Sequence, residues 1–224
     1  MRSKIFYRLV LIILLSVSSS ISVFADQITI TEDSKKIFLK DDRTGEDVKE
    51  EPKKERLYDF RKTTWGMNKI QVKKTEKSKI LMEDKDMLVY GGNVSGLDCI
   101  IIYTFIEGKL VRGSYTFTKT HTNKNDYISD YNDLKETLIK KYGKPIKDTH
   151  IWKNDLFRND YQQWGFAISL GHLVYKATWE KSNTNILLIL CGDNYEITHT
   201  LFYYSKELEN LEEKAKEKKT LDEF

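Results

Sequence analysis

Nine residues from Leu97 to Phe105, Leu-Asp-Cys-Ile-Ile-Ile-Tyr-Thr-Phe, constrain this 224-residue chain more than any other stretch. One acid apart, they are apolar, β-branched or aromatic. That composition favours extended backbone and demands cover on at least one face. Glu107-Gly108 breaks the run, and Lys109 to Phe117 returns with Leu110, Ser114, Tyr115 and Phe117, so the two segments read as an antiparallel hairpin. Ile80–Met82 and Met87–Tyr90 precede it as shorter expected strands. Earlier still, Asn68 stands three residues before Gln71, a capping-box pair that predicts a helix of two to three turns. Met67, Ile70 and Val72 form its expected inward edge, with the lysines left in water.

The same order recurs downstream. Ile128, Tyr131, Leu134, Leu138, Ile139 and Tyr142 repeat at helical spacing, and Gly143 with Pro145 supplies a stop. Phe166–Ser169, Leu173–Trp179, Ile186–Cys191 and Glu196–Tyr204 follow as expected strands, with a turn at Gly192-Asp193-Asn194. Displaced by 86 residues, Asn185–Ser205 falls on Cys99–Lys119, strand on strand. The expected fold is α+β: two tandem helix-plus-antiparallel-sheet units, 59–120 and 121–205, after an N-terminal β-hairpin.

The flanks carry other information. Arg2, Lys4 and Arg8 precede the apolar run Leu9–Leu15, serines follow, and Val23 and Ala25 take the small-residue positions of a cleavage site. Residues 1–25 therefore read as a secretory signal peptide. The strongly apolar part falls far short of the roughly 20 residues a spanning helix needs. Retention as an N-terminal anchor is the alternative reading. Residues 26–48, with Ile28, Ile30, Ile37 and Leu39 around a polar turn, read as a small β-hairpin. Glu32 to Gly45 is similar to the short N-terminal module of some exported bacterial proteins, with Ser34 in place of its turn glycine and without its tryptophan. Residues 49–58 read as a charged linker, and 206–224 as a charged C-terminal helix.

Loss of residues 1–25 removes three of the 37 basic residues and no acid, which leaves 34 of each sign and no net charge. Such a chain lacks the broad positive field that phosphate-driven nucleic-acid binding needs. No second stretch is long enough to span a bilayer after signal cleavage, and no cysteine follows Ala25 to carry a lipid. The expected product is soluble and exported, periplasmic or extracellular. Export places Cys99 and Cys191 where disulfides persist. Two readings stand for them, a Cys99–Cys191 bridge and a pair of buried thiols.

Trp65-Gly66-Met67-Asn68, followed by Gln71-Val72, resembles the "G-x-S-x-x-E-V" helix start of small bacterial envelope modules. These include the β-lactamase-inhibitor-protein-like fold and the related outer-membrane-assembly lipoproteins. Their "L-G-x-P" element resembles Tyr142-Gly143-Lys144-Pro145, which here follows the second helix. The resemblance implies an α+β fold in which a helix packs on a four-stranded sheet. It also implies a role in binding another protein or envelope component.

Chemistry-bearing residues are sparse. His121, His150, His172 and His199 make no metal-ligand spacing with one another or with a cysteine. Serine lacks a nucleophile elbow, and no glycine loop is built to hold phosphate. No cofactor or metal is expected. Asn123-Lys124-Asn125-Asp126 reads as a polar turn. Aromatics are more suggestive: Trp152, Phe157, Tyr161 and Trp164 bracket the polar segment Asp155–Asp160, a loop of the kind on which binding residues gather. The expected function is a non-catalytic binding module. The alternative is a hydrolase-type enzyme with a site assembled from scattered residues.

Overall fold

The computed structural model describes residues 58–211 and residue 214. The segments read as a signal peptide (1–25), a β-hairpin (26–48) and, up to residue 57, a charged linker lie outside those residues, as does the end of the C-terminal segment. Two successive meanders make up one sheet. Strands β1 (Ile80–Glu83), β2 (Met87–Val94), β3 (Leu97–Ile106) and β4 (Lys109–Phe117) run up and down in turn. Strands β5 (Lys147–Trp152), β6 (Leu173–Lys181), β7 (Thr184–Asp193) and β8 (Glu196–Ser205) do so again. β4 pairs with β8, so the antiparallel sheet has eight strands in the order β1-β2-β3-β4-β8-β7-β6-β5. That order leaves β1 and β5 at the edges. Helix α1 (Lys69–Thr75) precedes the first meander, α2 (Asp126–Tyr142) precedes the second, and α3 (Trp164–Ser169) lies between β5 and β6. The fold is α+β.

Local chemistry accounts for the ends of these elements. Asn68 Oδ1 accepts from the Gln71 amide at 3.0 Å while Gln71 Oε1 accepts from the Asn68 amide at 2.9 Å, closing the predicted capping box. Gly143, with φ of 84°, closes α2 and donates its amide to Ile139 O at 2.8 Å. The hairpin turns use paired left-handed residues, Glu107 (φ 50°) with Gly108 (74°) and Asn194 (49°) with Tyr195 (69°). This is the turn shape that matches the twist of the strands it joins.

Alternation along the strands builds the core. Tyr90, Ile101, Tyr103, Phe105, Tyr175, Trp179, Leu188 and Leu201 share one face, packed with Val72 of α1, Tyr131 and Leu134 of α2, and Ile168 of α3. Each fully buried leucine or isoleucine contributes roughly 1.5–3 kcal/mol. Phe60 fills the seam between the halves, its ring within 5.0–5.2 Å of those of Tyr103, Tyr115 and Tyr203. Gly113 makes this possible, because a Cβ there would sit 2.2 Å from the Phe60 ring. Nearby, the Trp65 indole donates to Thr184 Oγ1 at 3.0 Å and ties the segment before α1 to β7. Ile100, Ile102, Val174, Ile189 and Phe202 are buried on the opposite face, outside this cluster.

Three expectations need correction. Phe166–Ser169 is helical rather than a strand, because six residues from Trp164 make one and a half turns that bury Ala167, Ile168 and Ser169 together. Strand β5, Lys147–Trp152, adds to the expected strands. Ile70 is 67% exposed, since a helix of seven residues turns only Val72 fully inward. Cys99 and Cys191 are not bridged but free. Cys99 belongs to the core face of β3, whereas Cys191 follows core-facing Leu190 and so points to the other side. Two strands separate them, roughly 14 Å at the usual spacing, and burial pushes each thiol up to about 11.

Candidate functional site

The aromatic residues singled out in sequence gather at one end of the second meander. β5 delivers Trp152, the chain turns through 153–160, a 3₁₀ turn at Tyr161–Gln163 follows, and α3 begins at Trp164. The loop is held by its own polar side chains. Asn154 Oδ1 accepts from the Leu156 amide at 3.0 Å, and Asp160 Oδ1 accepts from the Gln162 amide at 3.1 Å. The Trp164 indole donates to Arg158 O at 3.2 Å.

Asn125, at the start of α2, clamps this loop from the side. Its Nδ2 donates to Tyr161 O at 3.1 Å and Gln162 O at 3.2 Å, and its Oδ1 accepts from the Gly165 amide at 2.6 Å. Gly165 is required, because a Cβ there would lie 2.2 Å from the Lys124 carbonyl carbon. The polar turn 123–126 therefore anchors the aromatic end.

The rings fall into two groups. Trp152 and Trp164 meet edge to face at 5.6 Å, and Tyr161 tilts onto Trp164 at 5.0 Å. His150 continues this group, 3.9 Å from the Tyr175 ring, and burial lowers its pKa despite Asp148 nearby. Phe157 joins the second group, packing on Phe166 at 5.6 Å and stacking on His172 at 6.0 Å, and Phe166 reaches Tyr195 at 6.2 Å. Trp152, Phe157 and Trp164 are half-buried against the core. Tyr161 (61%), Tyr195 (63%) and Leu156 (72%) are the exposed members. The structure thus brings Trp152, Tyr161 and Trp164 into contact and places Phe157 beside them in a separate stack.

A cleft of about 550 Å³, away from the aromatic end, has no signal in the sequence. Arg61, Glu76, Tyr103 and Tyr115 line it. Glu76 is the C-cap residue of α1, with its side chain 3% exposed. It receives Arg61 Nε at 2.7 Å and Nη2 at 3.1 Å, the Tyr103 hydroxyl at 2.7 Å, and the amides of Lys77 and Ser78 at 2.9 and 3.0 Å. Burial alone would raise its pKa, but hydrogen bonds from Tyr103, Ser78 and Arg61 override that and hold it down at about 2. The same pairing raises the Arg61 pKa against its own desolvation. With both oxygens occupied, the carboxylate is a structural hub and a poor base. Arg61 lies fifteen residues before Glu76, and no motif announces the pair.

Elsewhere, His121 Nε2 lies 2.6 Å from Asp130 Oδ2 with its ring edge to face on Tyr127. His199 is buried between Phe117 and Tyr131 with Nε2 unpartnered, and burial lowers its pKa to about 4. Among the described residues, no three His, Cys, Asp or Glu side chains are arranged to hold a metal ion, and no helix is long and apolar enough to cross a membrane. No protein-family model matches the chain, and no curated protein or solved structure shows significant similarity to it.

Proposed function

We propose that this chain is an exported, non-catalytic binding module of the bacterial envelope or extracellular space. In this reading it grips another protein or envelope component through its aromatic end. One observation carries the reading: exposed Tyr161 tilts onto half-buried Trp164, which meets Trp152, and the Asn125 clamp fixes the backbone at 161–165, while Leu156 and Tyr195 are exposed on the neighbouring loop and turn. Aromatic anchors on a rigid base lose little side-chain entropy on binding, which is why such clusters dominate interface energetics. The polar loop around them supplies a wet rim.

The succession of helix and four-stranded meander, met twice in the described residues, supports reading 59–120 and 121–205 as tandem units of one ancestral design. The basic, apolar and small-residue order of residues 1–25 supports export. An enzyme would need a convergent polar cleft with an available titratable group. The Glu76 cleft has the convergence, but its carboxylate is saturated by donors.

The test is affinity capture from envelope extracts, comparing the native protein with a Leu156→Ser/Tyr161→Ala variant. Both changes lie on exposed side chains and spare the core. A ligand retained by the native protein and lost by the variant supports the reading. Equal retention by both overturns the aromatic end as the binding surface.

A further inference from the structure

The two edges of the sheet are not alike. β1 has four residues, a register break between Ile80 and Met82, and a salt bridge from Glu83 to Lys73 at 2.6 Å. Those are devices by which proteins blunt an edge against pairing. β5 is longer and has no register break, and its Asp148 pairs with Lys135 at 3.0 Å. Its six residues pair with β6 in unbroken register from Lys147↔Thr178 to Trp152↔Leu173, and Lys147, Asp148 and His150 are exposed.

The direction of its main-chain groups follows from one bond. The Lys153 amide donates to His172 O at 2.7 Å, one step beyond the last ladder pair. Alternation then turns the amides and carbonyls of Thr149 and Ile151 toward β6, and those of Asp148, His150 and Trp152 toward the free edge. Only another extended polypeptide presents donors and acceptors at that spacing.

We propose that the occupant is a second copy of this chain, pairing β5 to β5 about a twofold axis through Thr149. The register is set by self-complementarity. With Thr149 opposite Thr149 of the second copy, Asp148 falls opposite His150 of the second copy, and the reverse. Lys147 then lies opposite Ile151, where its aliphatic stem covers the isoleucine. A threonine pair and two carboxylate–imidazole pairs are favourable cross-strand neighbours. The two Asp148/His150 pairs exchange about four main-chain hydrogen bonds. Asp148 keeps its own Lys135 at 3.0 Å on the side away from the junction. Ile146, 69% exposed just before the strand, comes to the end of the ladder beside Trp152 of the second copy. The result is one continuous sheet of sixteen strands, with both sets of helices on the same side. This inference goes beyond the binding function and does not rest on it.

The test combines mass and geometry. Light scattering of the purified protein across a dilution series gives twice the chain mass, falling toward the monomer as it is diluted. In the proposed register the Thr149 Cα atoms of the two copies lie about 4.5 Å apart, as in any non-hydrogen-bonded antiparallel pair, within the span a disulfide bridges. Thr149→Cys should therefore cross-link to a dimer on mild oxidation. Lys147→Cys, its counterpart about 14 Å away along the ladder, should stay monomeric on a non-reducing gel. A protein that is monomeric at every concentration overturns the proposal, whether or not another polypeptide pairs with β5. A dimer in which Thr149→Cys cross-links no better than Lys147→Cys overturns it equally, by placing the interface elsewhere.

Discussion

Glu76→Gln is the sharpest perturbation of the network around the seam. The substitution keeps the side-chain shape and leaves one oxygen for the Tyr103 hydroxyl, but removes the charge that Arg61 and the amides of Lys77 and Ser78 address. The Glu76 carboxyl is held at about 2 rather than 4.5. At 1.36 kcal/mol per pKa unit that difference is worth about 3 kcal/mol of folding stability at pH 7. The Arg61 side chain, 27% exposed, loses the anion it pairs with. Breaking a buried pair by removing one member costs about 3–5 kcal/mol, and partial exposure puts this pair at the lower end.

The sign of the pH effect is also fixed. A carboxyl whose folded pKa is depressed stabilises the fold above its unfolded value, and that contribution disappears as pH falls from 4.5 to about 2. Urea denaturation at pH 7 should therefore show a loss of about 3 kcal/mol, a midpoint shift of about 1.5 M for a slope on the order of 2 kcal/mol/M. The gap between native and variant should close as pH approaches 2. A loss below about 1 kcal/mol at pH 7, or a gap independent of pH, would show that the charge is not the hub described.

Other perturbations have equally definite outcomes. Gly165→Ala forces a methyl onto the Lys124 backbone at 2.2 Å, so it should lower stability by about 1–3 kcal/mol and abolish ligand capture together, as read by thermal unfolding and affinity capture. Gly113→Ala drives its methyl into the Phe60 ring, so a comparable loss of stability is expected while the aromatic end keeps its ligand. His199 titrates near 4 in the fold against 6.5 free. It therefore contributes stability above pH 6.5 that is lost as pH falls toward 4, about 3 kcal/mol in all. His199→Phe removes the unpartnered Nε2 and should flatten that part of the stability–pH curve, as measured by denaturation at pH 7 and pH 4.5.

What sequence made legible was local. The Asn68/Gln71 capping box, the Glu107-Gly108 turn and the Gly143 stop lie within a few residues of the groups they satisfy. Long apolar strands such as β3 and β7 announced themselves by composition. β5 did not, because an edge strand ending in a wet loop carries Lys147, Asp148 and His150 where a central strand carries isoleucine. α3 was mistaken for a strand because six residues are too few for a helical period to show. In the candidate site, the four aromatics were visible as a cluster in sequence. Their division into a Trp152–Tyr161–Trp164 contact and a separate Phe157 stack depends on α3 and the Asn125 clamp, which no local pattern reveals. The Arg61–Glu76 pair is set wholly by tertiary approach.

Site-specific photo-cross-linking in living cells tests the binding role most directly. A photoreactive residue is placed at Tyr161, with Glu107 in the turn of the first hairpin as the exposed comparison site. The account predicts a discrete adduct from position 161 and none from position 107. An adduct from 107 with none from 161 would contradict it, and so would the absence of any adduct from 161 where the chain is natively expressed.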